Sequence, residues 1–269
     1  MVAEIIGGLW TGSLALLADA GHMFSDVASL ALSLFAAWVS ERPPTSRKTY
    51  GFYRTEILAA MVNGATLVAI AVYILFEAYH RFHDPREVMG PAMMAIALGG
   101  LAVNLLGLWL LSAGRDDNLN VRGAWLHVLT DALGSVGAIA AGALIWGFGW
   151  QWADPLASVL IAMLVIYSSW RLLAEAVAVL MESAPHGIDV DEVRAAMGTT
   201  PGVVDVHDLH VWSITSGLDS LSAHVVIEDG HSHRELLTAL RAMLDERFGI
   251  DHVTIQIEPV DFAECQTHL

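Results

Sequence analysis

Residues 18–26 read ADAGHMFSD and residues 127–131 read HVLTD. Each stretch holds a His and an Asp four positions apart, His22 with Asp26 and His127 with Asp131, inside an apolar segment long enough to cross a bilayer. Four residues is about one helical turn, so each pair shares a helix face. Two such faces turned toward each other offer two imidazole nitrogens and two carboxylate oxygens. That donor set suits a tetrahedral divalent cation of the zinc type. Ionisable side chains in a bilayer interior cost roughly 2.5–3.5 kcal/mol for Asp on insertion scales. Two His-x-x-x-Asp pairs in separate spans are therefore read as metal ligands, and a purely structural hydrogen-bonding role is the weaker reading.

Composition sets the surroundings of these pairs. The 269 residues are 55% hydrophobic and only 16% charged, against about 25% charged in a soluble domain. The formal net charge of −16 excludes a nucleic-acid binder of the usual basic kind. The charge is uneven: residues 184–269 hold 15 acidic and 4 basic side chains, and eight of the twelve histidines. Cys265 is the only cysteine, so the chain has no disulfide framework of its own and no thiolate zinc cluster. Lys48 is the only lysine and follows no Gly-rich loop, so no nucleotide site is expected.

In chain order, residues 1–12 are apolar but rise only roughly 18 Å as a helix, against a hydrocarbon core of about 30 Å. They read as the end of a first helix, without the basic region of a signal peptide. Full spans follow over residues 13–39, 55–82, 92–113, 124–148 and 154–181. The loop 40–54 (SERPPTSRKTYGFYR) is the densest basic loop, with Arg42, Arg47, Lys48 and Arg54, which places it in the cytoplasm. The loop GRDDNLNVRG, 114–123, then returns to the same side. Asp154-Pro155 reads as an N-cap with Pro at N1 for the last span. Asn63 and Asn104 read as hydrogen-bonding links between helices. Asp19 stays open between a wall of the metal cavity and polarity at a helix start. Arg171 and Glu175 stand an i, i+4 step apart.

After Ser183 the pattern changes. Residues 189–197 and 232–248 are amphipathic, and 203–212, 221–228 and 253–257 alternate like strands. The expected fold is an α-helical transmembrane bundle over 1–183, then a small α+β domain of order αββαβ over 184–269. His207, His224 and Glu258 fall on three different strands and form a second candidate metal site. His210 stays open between a metal ligand and a structural hydrogen-bonder, and His231, His233 and His252 read as solvated element ends. No role is assigned to His186 or His268.

Several stretches together carry a resemblance: ADAGHMFSD, TYGFYRTEILAAMVN, NLNVRGAWLHVLTDALGSVG, ADPLASVLIAMLV and VHDLHVWSITSGLDSLSAHVV. They resemble the cation diffusion facilitators, and within them the zinc-transporting branch of bacterial zinc/cobalt/cadmium resistance exporters and ZnT-type proteins. The resemblance implies a homodimer of six-helix protomers in a bacterial cytoplasmic membrane, with metallochaperone-like cytoplasmic tails. It implies zinc export in exchange for protons. It carries His22, Asp26, His127 and Asp131 onto the family's transport site, and His207, His224 and Glu258 onto its cytoplasmic site. This chain departs from the pattern in four places: its first helix is a stub, Tyr53 stands where some relatives have a loop His, GRDDNLN lacks the His-rich run of eukaryotic relatives, and Cys265 is unpaired.

Two rival readings remain at this level. An intramembrane zinc hydrolase would need an open coordination position and a base, as in His-Glu-x-x-His, and that motif is absent from the sequence. A membrane-anchored metal sensor that binds zinc without moving it is the alternative function.

Overall fold

The computed structural model describes residues 1–112 and 119–262. Residues 114–118 of the loop 114–123, Cys265 and His268 lie outside the described residues. Among the described residues are eight helices and three strands: α1 Val2–Thr11, α2 Leu14–Ser40, α3 Thr55–His83, α4 Gly90–Ser112, α5 Leu119–Phe148, α6 Ala153–Leu180, α7 Val190–Gly198, β1 Val203–Thr215, β2 Leu218–Ile227, α8 His233–Phe248 and β3 His252–Pro259. Helices α2, α3, α4, α5 and α6 are each long and apolar enough to cross a membrane. The chain forms two compact units. The first comprises Met1–Leu34 with Ala60–Leu173, and the second Phe35–Ala59 with the described chain from Ala174 onward.

In the first unit α2 is wedged between two apolar clusters. Ala15 and Leu16 pack with Met93 and Ala97 of α4 and Ala138, Ala141 and Ile145 of α5. One step round the helix, Leu14 and Ala18 pack with Leu67, Ala71 and Ile74 of α3 and Ala162 and Val165 of α6. Small residues on these faces let the helices approach closely. At Gly90 and Gly142 an added Cβ would stand 2.7 and 3.0 Å from the other glycine's carbonyl oxygen, so α4 and α5 meet backbone to backbone. The large apolar side chains point the other way: Leu30, Phe76, Trp109 and Tyr167 are all exposed on the protein. A soluble protein would not show so wide an apolar exterior; for helices of this length it is the lipid-facing surface.

In the second unit β1 and β2 form an antiparallel hairpin, and β3 joins β2 in parallel through α8, giving the order β1-β2-β3. The hairpin turns at Ser216-Gly217, where Gly217 has φ 74°. Helices α7 and α8 cover one face. Val193 and Met197, with Leu236, Leu240 and Leu244, pack against Val211, Leu221 and Val225 of the sheet. Both helices start on side-chain caps: Asp189 accepts from the Asp191 and Glu192 N–H groups, and Ser232 from Glu235. The expected αββαβ order is the observed one, with Asp189 and Ser232 as caps just outside the helices rather than their first residues.

Candidate metal centres

The two His-x-x-x-Asp pairs converge. His22 and Asp26 on α2 face His127 and Asp131 on α5. His127 Nε2 lies 3.4 Å from Asp26 Oδ2 and 3.8 Å from Asp131 Oδ2. His22 Nε2 lies 3.6 Å from Asp131 Oδ1 and 3.7 Å from Asp26 Oδ2. These gaps are longer than hydrogen bonds, so the cluster is not held together by bonds among its own members. Zinc bonds of about 2.0–2.2 Å place tetrahedral ligand atoms about 3.3–3.6 Å apart, close to the spacing found. His22, Asp26 and His127 each offer one ligand atom within 4.8 Å of the others. Asp131 stands outside that set of three and divides its two oxygens between the two histidines. Asp131 Oδ1 and His22 Nδ1 are buried without a hydrogen-bond partner.

A cavity of about 500 Å3 adjoins the cluster. Its lining includes Asp19, His22, His127 and Asp131 together with apolar residues of α5 and α6 and Trp152 and Ala153. Asp19 is buried, and a Cβ on Gly134 of α5 would come within 3.6 Å of its Oδ1. Of its two sequence readings, this position matches the cavity wall.

At the start of α2 a second buried polar cluster departs from the sequence reading. Asp154 lies inside α6, and its side chain does not cap that helix. Its Oδ2 accepts the Leu14 N–H at 2.8 Å, and its Oδ1 accepts the Ala15 N–H at 3.1 Å and the Ser13 hydroxyl at 2.6 Å. Ser13 in turn accepts the Leu16 N–H at 3.2 Å. Arg81 of α3 donates to the Gly12 carbonyl at 2.5 Å and reaches Asp154 Oδ2 at 3.5 Å, while its Nε donates to Glu77 at 3.0 Å. The expected cap of α6 is thus a cap of α2, supplied from 140 residues away. The physical reason is that the orphan N–H groups of α2 are buried and need an acceptor, and a carboxylate there also meets the positive end of the helix dipole.

In the second unit, His207 of β1 is the cross-strand partner of His224 of β2. Glu258 of β3 reaches both: His224 Nδ1 lies 2.9 Å from Oε1 and His207 Nε2 3.2 Å from Oε2. Gln256 Nε2 donates to Glu258 Oε1 at 2.7 Å. Glu258 has a side chain only 4% exposed, and the three ligand atoms lie within 4.8 Å of one another. Two imidazoles and a carboxylate make a zinc donor set with a fourth position left over. A β-bulge between His207 and His210 puts Asp208 at φ 48°, and its carboxylate contacts His210 Nε2 at 3.0 Å and His224 Nε2 at 3.7 Å. No sequence pattern announced that bulge.

The remaining sequence readings find ordinary places. Asn63 accepts the Ser25 hydroxyl at 3.0 Å, linking α3 to α2 beside Asp26. His210 is a hydrogen-bonder to Asp208. The His231 ring lies against Gly202, where φ is 90° and a Cβ would come within 2.6 Å of it. His252 contacts the Tyr50 ring edge-on, and His186 is exposed.

Residues 1–181 match the family described as the cation efflux transmembrane domain, and residues 185–260 the one described as the cation efflux protein, cytoplasmic domain. The chain is 48% identical to a cadmium, cobalt and zinc/H(+)-K(+) antiporter of Bacillus subtilis, over 96% of this chain and 84% of that protein. It is 43% identical to the metal cation efflux system protein CzcD of Cupriavidus metallidurans, over 100% of this chain and 86% of that protein. It is 47% identical to the zinc transporter ZitB of Escherichia coli, over 98% and 86%. The solved metal-bound C-terminal domain of the CzcD transporter is 46% identical and covers 26% of this chain and 99% of that domain, with a TM-score of 0.25. With matches across both of its parts and relatives of this identity along nearly its whole length, this chain belongs to the cation efflux family of membrane transporters.

Proposed function

We propose that this protein exports zinc from the cytoplasm in exchange for protons, by alternating access of the site formed by His22, Asp26, His127 and Asp131. The observation that carries the reading is the spacing of that cluster: four imidazole–carboxylate gaps of 3.4–3.8 Å, none closed by a hydrogen bond, on two helices within the apolar region. Relatives named for cadmium, cobalt and zinc transport support a cation of this size and softness. Zinc is the substrate here, and two neutral imidazoles with two carboxylates neutralise its charge.

Coupling follows from competition. The imidazole nitrogens and carboxylate oxygens that bind the metal also bind protons, and metal binding releases them. Imidazole titrates in the range of cytoplasmic and external pH. A site that binds zinc on the inside and is refilled by protons on the outside moves the two in opposite directions, provided it alternates between the sides. The cavity along α5 and α6 supports an outward path, since it leads away from the cytoplasmic ends of those helices toward Trp152.

In this reading the active unit is a homodimer, joined in part through the cytoplasmic domain. His207, His224 and Glu258 hold a regulatory zinc ion there, with their metal-free contacts of 2.9–3.2 Å opening to admit it. The test is flux. Purified protein in liposomes with an internal zinc-sensitive dye should move zinc when a pH difference is imposed, and Asp131→Ala should bring the rate to that of empty liposomes. Flux that survives in the variant would remove the cluster as the transport site. Flux indifferent to the pH difference would remove the proton exchange.

A further inference from the structure

The loop joining α2 to α3 concentrates positive charge in an otherwise acidic protein. Arg42, Arg47, Lys48 and Arg54 fall within thirteen residues, while the whole chain carries −16. Arg54 is paired with Glu182 at 2.9 Å. The other three are exposed and, among the described residues, have no carboxylate within 4.0 Å. Glu41 adjoins them and leaves the loop net positive.

These cations are held in place. Pro43 and Pro44 fix the backbone after α2. Thr45 and Lys48 exchange N–H to carbonyl bonds, both 3.1 Å, and the Thr45 hydroxyl also accepts the Lys48 N–H at 3.2 Å. The Arg42 guanidinium lies 4.3 Å from the Trp38 ring centre, and Lys48 Nζ 4.3 Å from that of Phe52. Both cations thus rest on aromatic rings. Trp38 is in the last turn of α2, and Phe52 stands three residues before α3. Both helices are membrane spans, and a Trp at a helix end, as Trp38 is, favours the depth of lipid headgroups. Cations on aromatic rings at that depth meet phosphate, and the cytoplasmic leaflet is the anionic one.

We propose that residues 42–48 form a binding site for the headgroup of an anionic phospholipid of the cytoplasmic leaflet. Arg42, Arg47 and Lys48 contact its phosphate, and the Trp38 ring lies level with its glycerol region. Nucleic acid is disfavoured by the acidic bulk of the protein.

Each cation near an anionic surface contributes about fivefold to partitioning. The full chain in nanodiscs of mixed phosphatidylcholine and phosphatidylglycerol should retain phosphatidylglycerol preferentially when examined by native mass spectrometry. The triple substitution Arg42→Gln, Arg47→Gln, Lys48→Gln should reduce that preference by about 100-fold, and Arg42→Lys with Arg47→Lys should keep most of it. Inorganic phosphate should not displace the lipid. A photoreactive phosphatidylglycerol on the unaltered protein should label residues 38–52, a readout independent of how the variants fold. No preference in the unaltered protein, an unchanged preference in the glutamine variant, displacement by phosphate, or labelling confined to other segments would each overturn the proposal.

Discussion

At the start of α2, Asp154 has no exposed surface, and its carboxylate accepts three hydrogen bonds at 2.6–3.1 Å, with Arg81 beside it. About 12 Å further along the same helix, His22 and Asp26 face His127 and Asp131 across gaps of 3.4–3.8 Å that no hydrogen bond closes. Both clusters place carboxylates within an apolar bundle, where an uncompensated charge is costly. The first is compensated completely by the chain itself and fixes three helices to one another. The second is left open, with Asp131 Oδ1 and His22 Nδ1 lacking partners. The first cluster answers its own desolvation; on the proposed transport reading the second leaves that to the passing cation.

The sharpest way to break this contrast is to remove charge from each cluster in turn. Asp131→Asn should bring zinc flux in liposomes to background and leave thermal unfolding in detergent unchanged or slightly raised, because the carboxylate contributes no hydrogen bond to the fold. A clear loss of stability would mean that the inner cluster is structural after all. Asp154→Ala should do the opposite first. It strands the buried N–H groups of Leu14 and Ala15 and takes one carboxylate from Arg81, which keeps Glu77 at 3.0 Å; two orphaned donors at about 1–3 kcal/mol each cost about 2–6 kcal/mol. Asp154→Asn keeps an acceptor and should lose less, on the order of 1–3 kcal/mol. Equal stability in all three proteins, measured by unfolding, would remove the clasp.

A smaller effect concerns which cation the inner cluster takes. His22→Asp should replace a borderline nitrogen by a hard oxygen and shift preference toward harder ions, so competition of manganese against zinc uptake should increase. Unchanged selectivity would take His22 out of metal discrimination. Acid gives the same site a second signature. Both imidazoles must be neutral to bind, so zinc affinity should fall as pH drops through the imidazole range, by up to about 100-fold per pH unit once both are protonated. Removing one histidine should halve that slope. Zinc binding followed against pH by calorimetry reads it directly.

The inner cluster was legible in the sequence because its members are local. His22 with Asp26, and His127 with Asp131, lie one turn apart, and helical period alone puts each pair on a face. The two strand histidines were legible in the same way from alternation; Glu258 stands one residue past the alternating stretch 253–257, on a strand that runs on to Pro259. Asp154 was misread for a complementary reason. Asp-Pro at a helix start satisfies the local capping pattern, and nothing nearby in sequence says that the carboxylate serves α2, 140 residues earlier. Asp208 was invisible because the bulge that turns it toward His210 and His224 interrupts the very alternation used to read the strand.

The cytoplasmic triad sits between these cases. Its His207–Glu258 contact of 3.2 Å is a hydrogen bond, while His224 Nδ1 stands at ion-pair distance, 2.9 Å, from the same carboxylate, so the metal-free form is answered in part. Binding zinc there must replace those contacts. Glu258→Gln should therefore abolish the zinc bound by the cytoplasmic domain and leave a measurable flux through the membrane site. Two zinc equivalents lost per chain, or flux reduced to background, would show that the sites are not separable.

The smallest effect tests whether every polar contact on α2 belongs to one of the two kinds. Ser25 donates to Asn63 at 3.0 Å, one residue from Asp26. Ser25 is buried, so the pair looks like part of the metal site, yet it is closed by its own hydrogen bond as the Asp154 clasp is. On that criterion it is structural. Hydrogen bonds between membrane helices average about 0.6 kcal/mol in double-mutant cycles, and Ser25→Ala with Asn63→Ala should couple by about that amount in unfolding. Zinc affinity should not follow, because neither side chain offers the metal an atom that the pair does not already use. A change in zinc affinity as large as that of His22→Ala would place Ser25 and Asn63 among the ligands' supports, and hydrogen-bond closure would then no longer separate the structural clusters of α2 from the functional one.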